Sequence, residues 1–262
     1  MSRAKSKQSS ASAAPFLKAR GELEARSKIV AGEICKLLGT GLASLQFHPE
    51  YASETAVSEL RGSATEATQS RNRGRVTHVA KLCEFGECGY AWISLREKWN
   101  YATTRGGRAF YCFESAGITV YAGGEGQADK AQILRAEWAG FTDRGDGEAY
   151  QAGGAAHPHW QIDLLETLRE AGTEVGRFGE QPPLRQFSAL RTIPSLTESL
   201  RIAPFERFHF ASAANWWRPD SEGCGHQHTP RDADEVLRWV LGSVNYVRDQ
   251  LQVVARGLPR GR

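Results

Sequence analysis

The chain lacks any stretch of about 18 consecutive apolar residues, so no segment reads as a membrane-spanning helix. Met1 to Ala14 is polar, small and basic, without the apolar centre of a signal peptide. Residues 1–14 therefore read as a disordered basic tail. Cysteine is scarce and odd in number, five between Cys35 and Cys224, which does not suit a secreted disulfide framework. The expected setting is a reducing cytoplasm. Charge of one sign is missing too: 33 Lys and Arg face 30 Asp and Glu, a net charge of +3. That balance does not by itself imply a nucleic-acid partner. The basic residues at the ends (Arg3, Lys5, Lys7, Arg256, Arg260, Arg262) and from Arg71 to Arg75 read as solvated tails and a loop. Nor does the sequence hold a P-loop, a Gly-x-Ser-x-Gly elbow, a dinucleotide fingerprint or a carboxylate-rich nuclease motif.

What is present is a globular composition. Apolar residues make up 40% of the 262 and seven are Trp, enough to bury a core without metal or disulfide support. Residues 15–262 read as a single α+β domain. Phe16 to Leu38 has the spacing of an amphipathic helix, with Phe16, Leu23, Val30, Ile34 and Leu37 on one stripe. Gly39-Thr40-Gly41 ends it. Residues 58–75 are poor in large apolar side chains and rich in Ser, Thr, Gly and Arg, which predicts a loop or linker.

From Val76 onward the pattern is that of strands. Val76–Phe85, Tyr90–Leu95, Ala109–Phe113, Ile118–Tyr121 and Ile133–Trp138 are short and rich in β-branched and aromatic residues. Glu114-Ser115-Ala116-Gly117 predicts a hairpin loop between two of them. His157–Leu164 and Arg207–Ala211 follow as further strands. At the C-terminus Thr229 predicts an N-cap, Pro230 the first helical position and Asp232, three residues after the cap, the partner of a capping box. Ala233, Leu237, Val240, Val244, Val247, Leu251 and Val254 then form an apolar stripe. It either lies on the sheet and closes the core, or forms a coiled-coil seam for another subunit or a second copy. The architecture expected is a mainly antiparallel, twisted sheet packed by an N-terminal helix and a long C-terminal helix.

Histidines carry the functional signal. In a strand, alternate side chains share a face, so His157, His159, Gln161 and Asp163 fall opposite Trp160, Ile162 and Leu164. If the late strands are neighbours, Arg135, Glu137, Arg207 and His209 join that polar face. Cys224-Gly225-His226-Gln227-His228 precedes the C-terminal helix and could reach over it. Such a set fits three chemistries. Imidazoles and a thiolate bind zinc, here His157, Cys224, His226 and His228. A histidine with a charged orienting partner serves as base or nucleophile. Arg, His and a helix N-terminus together hold an anion. Cys83 and Cys88 read as buried or half-buried thiols, with a metal clasp as the alternative. Trp216-Trp217 reads as core or interface packing, with base stacking on nucleic acid as the alternative.

His157-Pro158-His159-Trp160-Gln161 resembles the active-site strand of the histidine-triad superfamily, in particular its galactose-1-phosphate uridylyltransferase branch. That resemblance implies a phosphoryl or nucleotidyl hydrolase or transferase, with His159 attacking phosphorus and Gln161 holding a phosphoryl oxygen. It also implies that His157 joins a zinc site with Cys83 and Cys88. Ala155-Ala156 stands where that family carries Asn-Pro. The order of parts (a strand-borne His-x-His, a later Phe-His-Phe strand, a His-x-His loop and a closing helix) is similar to bacterial domains found beside mobile-element defence genes. That likeness implies an accessory or interaction subunit of a multi-protein antiviral system, and between it and the enzyme the residues alone do not decide.

Overall fold

The computed structural model describes residues 17–40, 45–70, 75–86, 89–103, 107–139, 159–162, 230 and 232–256. The elements run β1 (Leu17–Lys18), α1 (Arg20–Leu38), β2 (Gln46–Tyr51), β3 (Thr55–Arg61), β4 (Thr65–Ser70), β5 (Arg75–Glu84), β6 (Tyr90–Thr103), β7 (Ala109–Gly123), β8 (Ala131–Ala139), β9 (His159–Ile162) and α2 (Ala233–Arg256). The fold class is the expected one: α+β, a curled antiparallel sheet with a helix from each end of the chain. The tail, residues 1–14, lies outside the described residues. Among the described residues no helix is long and apolar enough to cross a membrane.

The sheet runs β2-β3-β6-β7-β8-β9, and all its pairings are antiparallel. The β4–β5 hairpin pairs with the first half of β6, while β3 pairs with its second half. β6 and β7 are unusually long strands, at 14 and 15 residues. The hairpin loop expected at Glu114–Gly117 is not a turn but the middle of β7. Core positions explain the difference: Tyr111 and Phe113 point inward, then Ala116, Ile118 and Val120, so the alternation slips by one residue. A β-bulge absorbs the slip, since Lys98 pairs with Ser115 and Trp99 with Phe113, leaving Glu114 extra. The Glu114 carboxylate then accepts from Lys98 Nζ at 2.8 Å.

The loop expected across residues 58–75 is also corrected, because β3 and β4 occupy most of it. The inward positions of β3 are Ala56, Ser58 and Leu60, and two of those side chains are too small to register as an apolar row. In β4 the buried residue is Thr68, whose Oγ1 accepts from the Lys130 backbone N–H at 2.8 Å. Ladder pairing, rather than apolar content, makes these strands.

Both helices lie against the core. α1 begins at Arg20, four residues later than its stripe suggested, because Leu17-Lys18 pairs with Cys112 and Tyr111 as a short strand. Leu23, Val30 and Ile34 are buried as expected. Gly39 closes the helix in the left-handed region (φ 68°), where glycine pays no steric penalty. The expected N-cap of the C-terminal helix shifts from Thr229, outside the described residues, to Asp232. The Asp232 carboxylate accepts from the Glu235 N–H at 2.7 Å.

Two arginines align the helices in the same direction. Arg26 of α1 donates to the Ala233 carbonyl at 2.7 Å, and Arg248 of α2 donates to the Leu37 carbonyl at 2.6 Å. The second bond satisfies one of the four carbonyls that a helix leaves open at its C-terminus. Arg26 also grips Glu97 of β6, donating through Nη2 to Oε1 at 2.7 Å and through Nε to Oε2 at 3.3 Å. This buried pair therefore joins α1, the sheet and the first turn of α2.

The α2 stripe is consumed by the chain's own core: Val240, Val244, Val247 and Leu251 are fully buried. That corrects the seam reading. A second copy or another subunit cannot use those residues while the domain is folded.

Candidate functional site

With both helices packed on one sheet face, the alternating side chains of the long strands put their polar groups on the other. Register then orders those groups across the sheet. His48 pairs with Glu59, Glu59 with Arg96, Arg96 with Gly117, Gly117 with Glu137, and Glu137 with His159. Residues directly opposite in antiparallel strands share a face. In the row so registered across six strands, Glu59, Arg96 and Glu137 alternate in charge, with Gly117 between the last two. A second row joins Ser94, Thr119, Arg135 and Gln161.

Ion pairs knit the rows. Arg96 Nε lies 3.3 Å from Glu59 Oε1, Arg135 Nη1 lies 3.2 Å from Glu137 Oε1, and Arg61 reaches both Glu59 and Glu50. None of these groups is fully sequestered; the Glu137 side chain keeps 35% of its exposure and Arg96 29%. Gly117 lies in extended backbone, and an added Cβ there would meet nothing nearer than Glu137 Cγ at 4.0 Å. Neither backbone conformation nor crowding requires a glycine at that point.

At one end the face closes over an apolar cluster of Val79, Trp92 and Tyr121, with Tyr90 packed against it. Trp92 Nε1 donates to the Gly123 carbonyl at 2.8 Å. Lys130 Nζ sits 4.5 Å above the Trp92 ring and 2.7 Å from Glu66. Gly89 (φ +84°) admits the approach of the Gly123 carbonyl, which would lie 3.1 Å from any Cβ there.

The expected site is brought together in part. Leu134, Ala136 and Trp138 are buried toward the helices while Arg135 and Glu137 are not, as their alternation predicts. Register sets His159 opposite Glu137 and Gln161 opposite Arg135, and Trp160 lies on the core side, its ring 6.0 Å from that of Tyr246. His157, Asp163, His209, Cys224, His226, His228 and Cys88 lie outside the described residues, as do Trp216 and Trp217. Among the described residues no three His, Cys, Asp or Glu side chains are grouped to hold a metal ion. The sequence does not group Glu59, Arg96 and His48, because Glu59 lies within the stretch 58–75 whose composition predicts a loop and whose β3 part joins them.

Cys83 is half-buried beside a bulge in β5. Burial pushes its thiol from the ordinary 9.0 up to about 11, against a downward pull from Arg248 and with a smaller upward push from Glu84. At neutral pH it is a protonated thiol, and metal binding or nucleophilic attack requires the thiolate. Iodoacetamide should therefore modify Cys83 slowly at pH 7 and faster as pH climbs toward 11, followed by mass spectrometry. Complete labelling at pH 7 at the rate of a free cysteine would contradict the burial argument. The sign for stability is the same: above pH 9 the unfolded thiol ionises first, so the folded state loses stability between about 9 and 11.

Compared with known proteins, the chain matches no family model, no curated sequence and no solved structure.

Proposed function

We propose that the chain is a non-catalytic interaction subunit of a multi-protein bacterial system, of the antiviral-defence kind, and that it meets its partner through the polar sheet face. The supporting observation is the charge row from Glu59 through Arg96 to Glu137, built across neighbouring strands in register. Partly exposed ion pairs of this sort add roughly 0–1 kcal/mol each to stability, so the fold does not depend on them. A partner with the complementary order of charges would exchange with them at little cost, and like charges in the wrong register would repel.

The test is a paired charge swap. In Arg135→Glu/Glu137→Arg the two residues keep opposite charges, so the melting temperature should hold within a few degrees. Co-purification of the partner identified by cross-linking to the wild-type chain should be lost, and wild-type binding should weaken as salt rises. Unchanged capture of that partner by the swapped chain would sink the proposal.

A second reading, histidine-nucleophile phosphoryl or nucleotidyl transfer, draws on the register of His159 against Glu137 and of Gln161 against Arg135. In that reading Glu137 orients the imidazole and Arg135 faces a phosphoryl group. Zinc would belong to His157, Cys224, His226 and His228.

A further inference from the structure

We infer that the occupant of the polar sheet face is a second copy of this chain, related to the first by a two-fold axis that runs along β7 through Gly117, a proposal that rests on the docking reading of that face. A two-fold axis lying between two facing sheets and parallel to their strands reverses the order of strands and leaves each cross-strand row in place. Arg96 and Glu137 sit in the same row, one strand to either side of Gly117. Each Arg96 therefore faces the Glu137 of the other copy, and the contact occurs twice. Neighbouring strands are about 4.8 Å apart, so both contacts lie close to the axis, where the usual angle between packed sheets displaces them little. Two strands out, Glu59 falls on the register position of His159. In the next row Thr119 meets itself and Ser94 faces Arg135.

Other axes match the charges less well. An axis on β6 or β8 stacks Arg96 on Arg96 or Glu137 on Glu137, and one between β6 and β7 sets Glu59 against Glu137. An axis across the strands stacks every charge of the row on its own copy, and one between β7 and β8 pairs no opposite charges. An axis between β3 and β6 does pair Glu59 with Arg96. It would use Glu59, the most covered of the three side chains at 18% exposure, and leave out Glu137, the least covered at 35%. The glycine also favours β7. Gly117 weakens its strand, yet neither its backbone nor its own neighbours require it. On the axis its backbone faces the same backbone of the copy, and any side chain there would meet its own duplicate. Arg96 can hold Glu59 and the second copy's Glu137 together, because a guanidinium carries five N–H donors.

The experiment is sedimentation equilibrium of the full chain as wild type, Arg96→Glu and Glu137→Arg. The wild type is expected at twice the mass of the chain. Either variant alone sets like charges against each other at both contacts, and its dimer should weaken roughly 100-fold. Mixed one to one, the introduced glutamate of one chain meets the introduced arginine of the other, the two unaltered residues meet as in the wild type, and the dimer mass should return. Neither chain changes on mixing, so that recovery cannot come from folding. A wild-type monomer overturns the second copy, as does a Glu137→Arg chain that stays dimeric or a mixture that stays monomeric. If in those cases Arg135→Glu/Glu137→Arg still loses a cross-linked partner of different sequence, the docking reading stands with another occupant. If that swap loses nothing, both fall.

Discussion

Arg26→Ala should destabilise the domain by about 3–5 kcal/mol, the cost of leaving a buried carboxylate without its partner. The Glu97 side chain is 2% exposed and that of Arg26 8%, so water cannot replace the guanidinium without opening the core. The same substitution frees the Ala233 carbonyl, which Arg26 holds at 2.7 Å, and so loosens the start of α2 as well as α1. Urea titration followed by circular dichroism reads the loss as a lower midpoint. Replacing both partners, in Arg26→Met/Glu97→Leu, should recover most of the stability, because a well-packed apolar pair avoids the desolvation cost. A single-variant change below about 1 kcal/mol would mean that the pair is not buried in solution.

Val244→Asp should be as damaging or worse. Val244 has no exposed surface, and a carboxylate there has no partner within the apolar stripe, so the expected loss exceeds about 4 kcal/mol. Leu237→Asp should be milder, because Leu237 is only half-buried and its carboxylate can reach water. The contrast bears on function, since an interface seam would behave otherwise. A Val244→Asp chain that melts like wild type but no longer binds its partner would restore α2 as the docking surface.

The helices and the face assignments were legible because they rest on strong periodic signals. The α2 stripe repeats in threes and fours over more than five turns, and the alternation of Leu134, Ala136 and Trp138 with Arg135 and Glu137 is unbroken. The edge of the sheet before β5 was not legible, since Ala56, Ser58 and Thr68 fill inward positions that no apolar pattern marks. The continuity of β7 was hidden for another reason: Glu114 interrupts the alternation, and only the partner strand reveals a bulge rather than a turn. The candidate site divides along the same line. Parity put Arg135 with Glu137 and His159 with Gln161, and the two pairs join because β8 and β9 are neighbours, as expected. The contribution of Glu59 and Arg96 depends on which strands are neighbours, information that lies in the pairing and not in any local segment.

The most direct test of docking against chemistry is adduct trapping with labelled nucleotides. Purified wild-type chain and His159→Ala would be incubated with phosphate-labelled nucleoside triphosphates and nucleotide sugars, quenched in alkali to preserve phosphohistidine, and analysed by mass spectrometry. The docking account predicts the same absence of label in both, with the partner retained by both. A nucleotidyl or phosphoryl adduct on the wild-type chain that disappears in His159→Ala would contradict it.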